Sequence, residues 1–139
     1  MSAASNYLEG KLIESVLRGV SYTPPTTIYV SLHTASPGET GANEMTTGAF
    51  PAYVRKDAAN GGAVGDGWTA QVDGVCKNAL QLIFPVHNGA APVTITHYGL
   101  WDAPTGGNYL MGAALASSRT LNPGDVFVVD VQKLTASVQ

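Results

Sequence analysis

The residues able to do nucleophilic or metal chemistry are few: one cysteine, Cys76, and three histidines, His33, His87 and His97. A Cys–His pair becomes a nucleophile only when the fold brings the two within hydrogen-bond reach. The position of Cys76, between Val75 and Lys77, reads instead as a semi-buried small apolar residue. The strand–turn–helix serine motif GxSxG is absent. His97 and Asp102 lie five residues apart, but there is no HxH, HExxH or Cys/His cluster to hold a metal. His97 reads as a half-buried strand residue bonded to a neighbour. Asp66, Asp73, Asp102 and Asp125 flank turns, where aspartate commonly bonds its own backbone. Asp130, inside an apolar run, is expected to pair with Arg55 or Arg119 or to face solvent. The glycine-rich segment 61–65 lacks the Lys-Ser/Thr of a phosphate loop. The expectation is a protein without catalytic residues, metal or cofactor.

Residues suited to contact are easier to find. Tyr53, Arg55 and Trp68 are types that anchor protein interfaces, although aromatic residues equally plug the ends of a β-sandwich. Leu8 and Leu12 lie on the apolar face of the one convincing helix, over 5–18, continued by Val16 at the same spacing, with Ile13 and Leu17 on the adjoining strip. Asn6 with Glu9 has capping-box spacing, Ser5 is an alternative cap, and Gly19 is the stop. Gly10 inside the helix costs about 1 kcal/mol relative to alanine, so the helix needs something to pack on. A carbohydrate-binding module would need an aromatic platform, for which Trp68, Trp101 and Tyr98 are the candidates.

The rest of the chain must position these groups with little charge. Only 12% of the 139 residues are charged, about half the usual ~25%, while 45% are apolar. A core is affordable without disulfides, and the interfaces of an assembled protein are one place where charge is dispensable. A net charge of −3 with no basic stripe argues against a nucleic-acid partner. No apolar run has the ~18–20 residues of a membrane span, and no basic region with an apolar stretch suggests a secretory signal. After Pro25 the pattern turns to period two. Strands are expected over 27–33, 52–56, 68–72, 79–84, 93–101, 109–116, 126–132 and 134–138, with a long Gly-rich connection over 35–50. The expected architecture is all-β: one domain over 1–139, an antiparallel β-sandwich or jelly roll over 26–138 behind the N-terminal α-helix.

Several segments in order carry a resemblance. They are Asn6-Tyr7-Leu8-Glu9, Tyr22-Thr23-Pro24-Pro25, His33-Thr34-Ala35-Ser36-Pro37-Gly38-Glu39, Ile95-Thr96-His97-Tyr98-Gly99-Leu100-Trp101-Asp102-Ala103, Thr105-Gly106-Gly107-Asn108-Tyr109-Leu110, Gly112-Ala113-Ala114-Leu115 and Asn122-Pro123-Gly124-Asp125. Together they resemble a family of small virion proteins of tailed bacteriophages, whose members are labelled tail-fibre proteins or are similar to jelly-roll capsid cement proteins. The resemblance runs from about Asn6 to Asp125 and is weakest over 40–76. It implies a non-enzymatic structural protein that cements the capsid exterior by bridging subunits of the major capsid protein. Assembly would take place in the host cytoplasm. A tail or fibre-base component is the alternative. Self-association is expected on base rates, as a homodimer or a trimer.

Overall fold

The computed structural model describes residues 2–138. It is an all-β antiparallel sandwich with one helix. Strands β1 (Ser2–Ala4), β2 (Tyr29–His33), β3 (Lys56–Asp57), β6 (Val93–Trp101) and β7 (Tyr109–Leu121) form a five-stranded sheet in the order β1-β7-β6-β2-β3. Two ribbons complete the layers: β4 (Val75–Lys77) with β9 (Thr135–Ser137), and β5 (Leu82–Val86) with β8 (Val126–Val129). Val30, Leu32, Ile95, Tyr98 and Leu100 of the main sheet share one core with Leu82, Phe84, Phe127, Val129 and Leu134.

The strongest sequence patterns become the central strands. The alternation over 27–33 forms β2, and β6 takes the expected bounds 93–101. The expected strand over 109–116 continues to Leu121, because its second half pairs again with β6 after a bulge between Ile95 and His97. The weaker expectations shrink. The strand expected over 52–56 is reduced to Lys56–Asp57, since the chain turns at 50–53 with the Tyr53 N–H bonded to the Phe50 carbonyl. The strand expected over 68–72 reduces to single bridges, Trp68 to Asn78 and Val72 to Val75. Between the latter two, Asp73 and Gly74 take φ of 51° and 78°, the left-handed pair that closes a two-residue hairpin. β1 has no period-two signature, and only its pairing with Ala113, Gly112 and Met111 makes it a strand.

Helix α1 (Asn6–Arg18) is capped by Ser5, the alternative cap of the sequence reading. The Ser5 hydroxyl accepts from the Leu8 N–H at 3.2 Å and donates to the Tyr109 carbonyl at 2.6 Å, while the Ser5 N–H bonds the Leu110 carbonyl. One side chain therefore caps the helix and fastens it to β7. Ser5→Ala should lower stability by about 1–2 kcal/mol, the upper range for a lost N-cap, in urea unfolding. A loss below a few tenths would mean that the helix is held by packing alone. Leu8 is buried and Leu12 half-buried against the core, but Val16, expected on the same face, is 80% exposed. The core reaches the first half of the helix, and Val16 and Leu17 in its last turn are largely exposed.

Candidate functional site

The main sheet has a second face, opposite the core. Alternation places Ser31 and His33 of β2 there, beside Gly99 and Trp101 of β6 and Gly112 of β7, and a register shift between Leu100 and Trp101 sets Tyr109 opposite Trp101. Gly99 and Gly112 are cross-strand partners and form a floor without side chains. A Cβ at Gly99 would lie 2.7 Å from both His33 Nε2 and Ser31 Oγ, and one at Gly112 would lie 2.3 Å from the Tyr109 hydroxyl. These glycines make room for the rings above them. The Gly-rich connection after β2 folds over the trough. His33 bridges to Glu44, the Thr34 N–H bonds the Asn43 carbonyl, and Met45 N–H bonds the Leu32 carbonyl. Gly41, at φ 77°, passes so close to the Trp101 ring that a Cβ would overlap it at 2.4 Å.

A Ser–His pair lies in this trough. Ser31 Oγ and His33 Nε2 are 2.7 Å apart, and His33 Nδ1 is 2.7 Å from the Ala42 carbonyl. A carbonyl only accepts, so Nδ1 carries the proton and Nε2 accepts from the serine hydroxyl. Ser31 Oγ in turn accepts from Trp101 Nε1 at 2.9 Å. The constellation has the bonding of a nucleophile and base. Both residues are fully buried, however, and every polar atom of the chain from Trp101 to Ala42 is used internally. Burial lowers the His33 pKa, against the smaller opposite pull of the Ala42 carbonyl and Glu44, so the ring is neutral in the fold.

At the rim stands the ion pair of Arg55 and Glu44. The guanidinium meets the carboxylate twice, Nε to Oε1 and Nη2 to Oε2, each at 2.8 Å. Its Nη1 donates to the carbonyls of Ala103 and Gly106, and its Cζ lies over the Trp101 ring, 3.7 Å from the centroid. The Tyr53 hydroxyl donates to Glu44 at 2.9 Å and accepts from the Leu32 N–H. Burial alone would raise the Glu44 pKa, but hydrogen bonds from Arg55 and Tyr53 and the Arg55 charge together hold it below the usual carboxylate value. Burial also raises the Tyr53 phenol. An open groove of about 470 Å³ runs past this rim, lined by Glu44, Thr46, Thr47, Arg55, Val54 and Thr105 among others.

The contact residues singled out from sequence thus fall into separate places. Tyr53 and Arg55 meet through Glu44, with the Arg55 side chain only 8% exposed. Both are committed to the chain's own interior at the rim. Leu8 and Leu12 sit together under the helix, and Trp68 is half-buried against the core. The aromatic platform does not form: Tyr98 and Trp101 are both buried, Trp101 beneath Arg55. Asp130 takes neither arginine. Its carboxylate accepts from Gln81 at 2.9 Å, while Arg55 pairs with Glu44. His97 is half-buried and bonded to Thr96, and Cys76 is partly exposed. Sequence reasoning missed Glu44, inside a loop without periodicity, and Ser31, a small polar residue in an alternating strand with no motif around it.

Buried His33 and half-buried Glu44 make stability pH-dependent. His33 has a folded pKa below its unfolded value of about 6.5, so in acid the unfolded chain binds the proton that the fold rejects. Stability should be full above pH ~6.5 and fall below it. Glu44 adds a second loss as pH drops through its own lowered folded pKa. Urea midpoints at pH 7.5, 5.5 and 4 should decline in that order, and His33→Gln should flatten the first step. An unchanged midpoint from 7.5 to 5.5 would mean that His33 titrates normally.

No curated protein matches this sequence. Residues 3–137 match the family model described as podophage GP4 fiber I protein gp80. With a match that spans nearly the whole chain, helix, sheet and both ribbons alike, this protein belongs to the gp80 fiber I family of bacteriophage virion structural proteins.

Proposed function

We propose that this chain is a non-enzymatic component of a podophage tail fibre or of its base. The observation that carries the reading is the family match over residues 3–137, to a fibre protein and not to a capsid protein. It favours the tail alternative of the sequence reading over capsid cementing. The geometry supports a structural role. The Ser31–His33 pair is sealed, and the Arg55–Glu44 ion pair braces the Gly-rich connection against the loop at 103–106. The function is then to present a rigid surface to other virion subunits.

Cryo-electron microscopy of the virion with this chain's copies located and counted tests the reading. Density confined to the tail, in a few dozen copies or fewer, is the expected result. Hundreds of copies over the seams between capsid subunits would restore the cement reading. Absence from particles would overturn both.

A further inference from the structure

The chain contains two Asn-Gly pairs, Asn60-Gly61 and Asn88-Gly89, and the fold holds them differently. Asn60 and Gly61 have φ of 49° and 88°, two consecutive left-handed residues, and this turn favours asparagine and glycine for that reason. Both are exposed, and a Cβ at Gly61 would meet nothing within 4 Å. The Asn60 Nδ2 donates to the Gln81 carbonyl at 3.3 Å, and the Gly61 N–H donates to the Asp57 carboxylate at 2.8 Å. Asn88 is exposed too, but its pair is locked. The Asn88 Oδ1 accepts from the Ala52 N–H at 2.8 Å. A Cβ at Gly89 would stand 2.3 Å from the Ala49 carbonyl oxygen and 2.6 Å from the His87 ring. That ring is fully buried and bonded to the Ala91 carbonyl.

We infer that Asn60-Gly61 is a site of spontaneous deamidation and that the fold protects Asn88-Gly89 from the same reaction. Asparagine before glycine reacts through its own backbone. The Gly61 nitrogen attacks Asn60 Cγ, a C–N bond forms, and the Cγ–Nδ2 bond breaks. The amide nitrogen leaves as ammonia, taking the proton given up by Gly61. Water then opens the five-membered imide at either carbonyl and leaves aspartate or isoaspartate. The carboxamide must swing onto a nitrogen that has shed its hydrogen bond, and exposed turns open locally far more often than packed ones. At Asn60 two surface bonds must open and no side chain crowds the path. At Asn88 the Ala52 bond must break and Gly89 must leave its contacts with Ala49 and His87. The product changes the turn that follows β3. Its new carboxylate joins Asp57 and Asp66, the latter with an oxygen 3.1 Å from where a Cβ of Gly62 would stand. Isoaspartate also lengthens the main chain between Ala59 and Gly61, whose N–H groups both anchor to the Asp57 carboxylate. Deamidation therefore adds negative charge to an acidic turn and loosens its anchor at the edge of the main sheet.

The test ages the full folded chain for weeks in warm, mildly alkaline buffer and follows tryptic peptides by mass spectrometry. Asn60 is the only asparagine of the peptide 57–77, while Asn88 lies in 78–119 and is located there by fragmentation. Asn60 should gain the mass of an amide turned acid at least about 10-fold faster than Asn88. In urea the two rates should agree within about 3-fold, because the dipeptide is the same and only the fold separates them. Asn60→Ser should abolish the gain in 57–77. The deamidated chain, isolated by anion exchange on its added charge, should unfold at a lower urea concentration than fresh protein. No gain at Asn60, or folded-state rates equal at the two sites, would overturn the inference. So would a gain in 57–77 that survives Asn60→Ser. An unchanged urea midpoint would overturn the loosening of the turn. None of these outcomes depends on where in the virion the protein sits.

Discussion

Arg55→Ala is expected to destabilise the protein by about 3–5 kcal/mol, because it leaves the Glu44 carboxylate in a mostly dry site without its counter-charge. Glu44 is 22% exposed and Arg55 8%, so solvent screens the pair far less than it screens the exposed Arg18–Glu14 pair on the helix. The substitution also strips two bonds from the Ala103 and Gly106 carbonyls and uncovers the face of Trp101. Arg55→Lys should recover only part of the loss, since an ammonium cannot reach the carboxylate in two places and two carbonyls at once. Glu44→Ala should cost less than Arg55→Ala, because the guanidinium keeps its carbonyl partners. The double variant should be clearly less harmful than the two single losses added together. Urea unfolding followed by tryptophan fluorescence measures all of these. A loss under about 1 kcal/mol for Arg55→Ala would put the pair in the class of surface ion pairs and remove the brace from the loop.

Gly99→Ala should cost at least about 2–3 kcal/mol, even though it adds a single methyl group to the middle of a strand. The new carbon would stand 2.7 Å from His33 Nε2 and Ser31 Oγ and 3.0 Å from the Tyr109 ring. None of these can yield freely. Ser31 and His33 are fully buried and bonded to each other, to Trp101 and to Ala42. Relief means breaking the Ser31–His33 bond and leaving buried polar atoms unsatisfied. Gly10→Ala is the control. With open space around Gly10 and a helical backbone, it should stabilise the protein by up to about 1 kcal/mol. Equal effects from the two substitutions would show that the glycine floor of the trough is not tightly packed.

The sequence was most informative where local pattern and burial agree. β6 has its expected bounds because Val93 and Ile95 face the core and Tyr98 to Trp101 are covered on both sides. The helix was legible from Leu8, Leu12 and Gly19, since amphipathic spacing and a left-handed stop are local signals. The strands expected over 52–56 and 68–72 were misread because aromatic residues there plug the core from turns, and composition does not separate the two roles.

The site was hardly legible at all. Arg55 was visible as an anchor type, but its partner Glu44 lies in a connection with no period, and Trp101 and Ser31 reach it from other strands. The sequence by itself determined an all-β chain with one helix, poor in charge and without a metal or nucleophile motif, because composition and short-range periodicity carry those properties. Only the tertiary structure decided that β1 pairs with β7 and that Ser31, His33, Glu44 and Arg55 form one buried network. It alone left Val16 and Leu17 in the open. Each of these depends on which distant segment covers a residue, and the spacing of neighbours along a chain does not encode that.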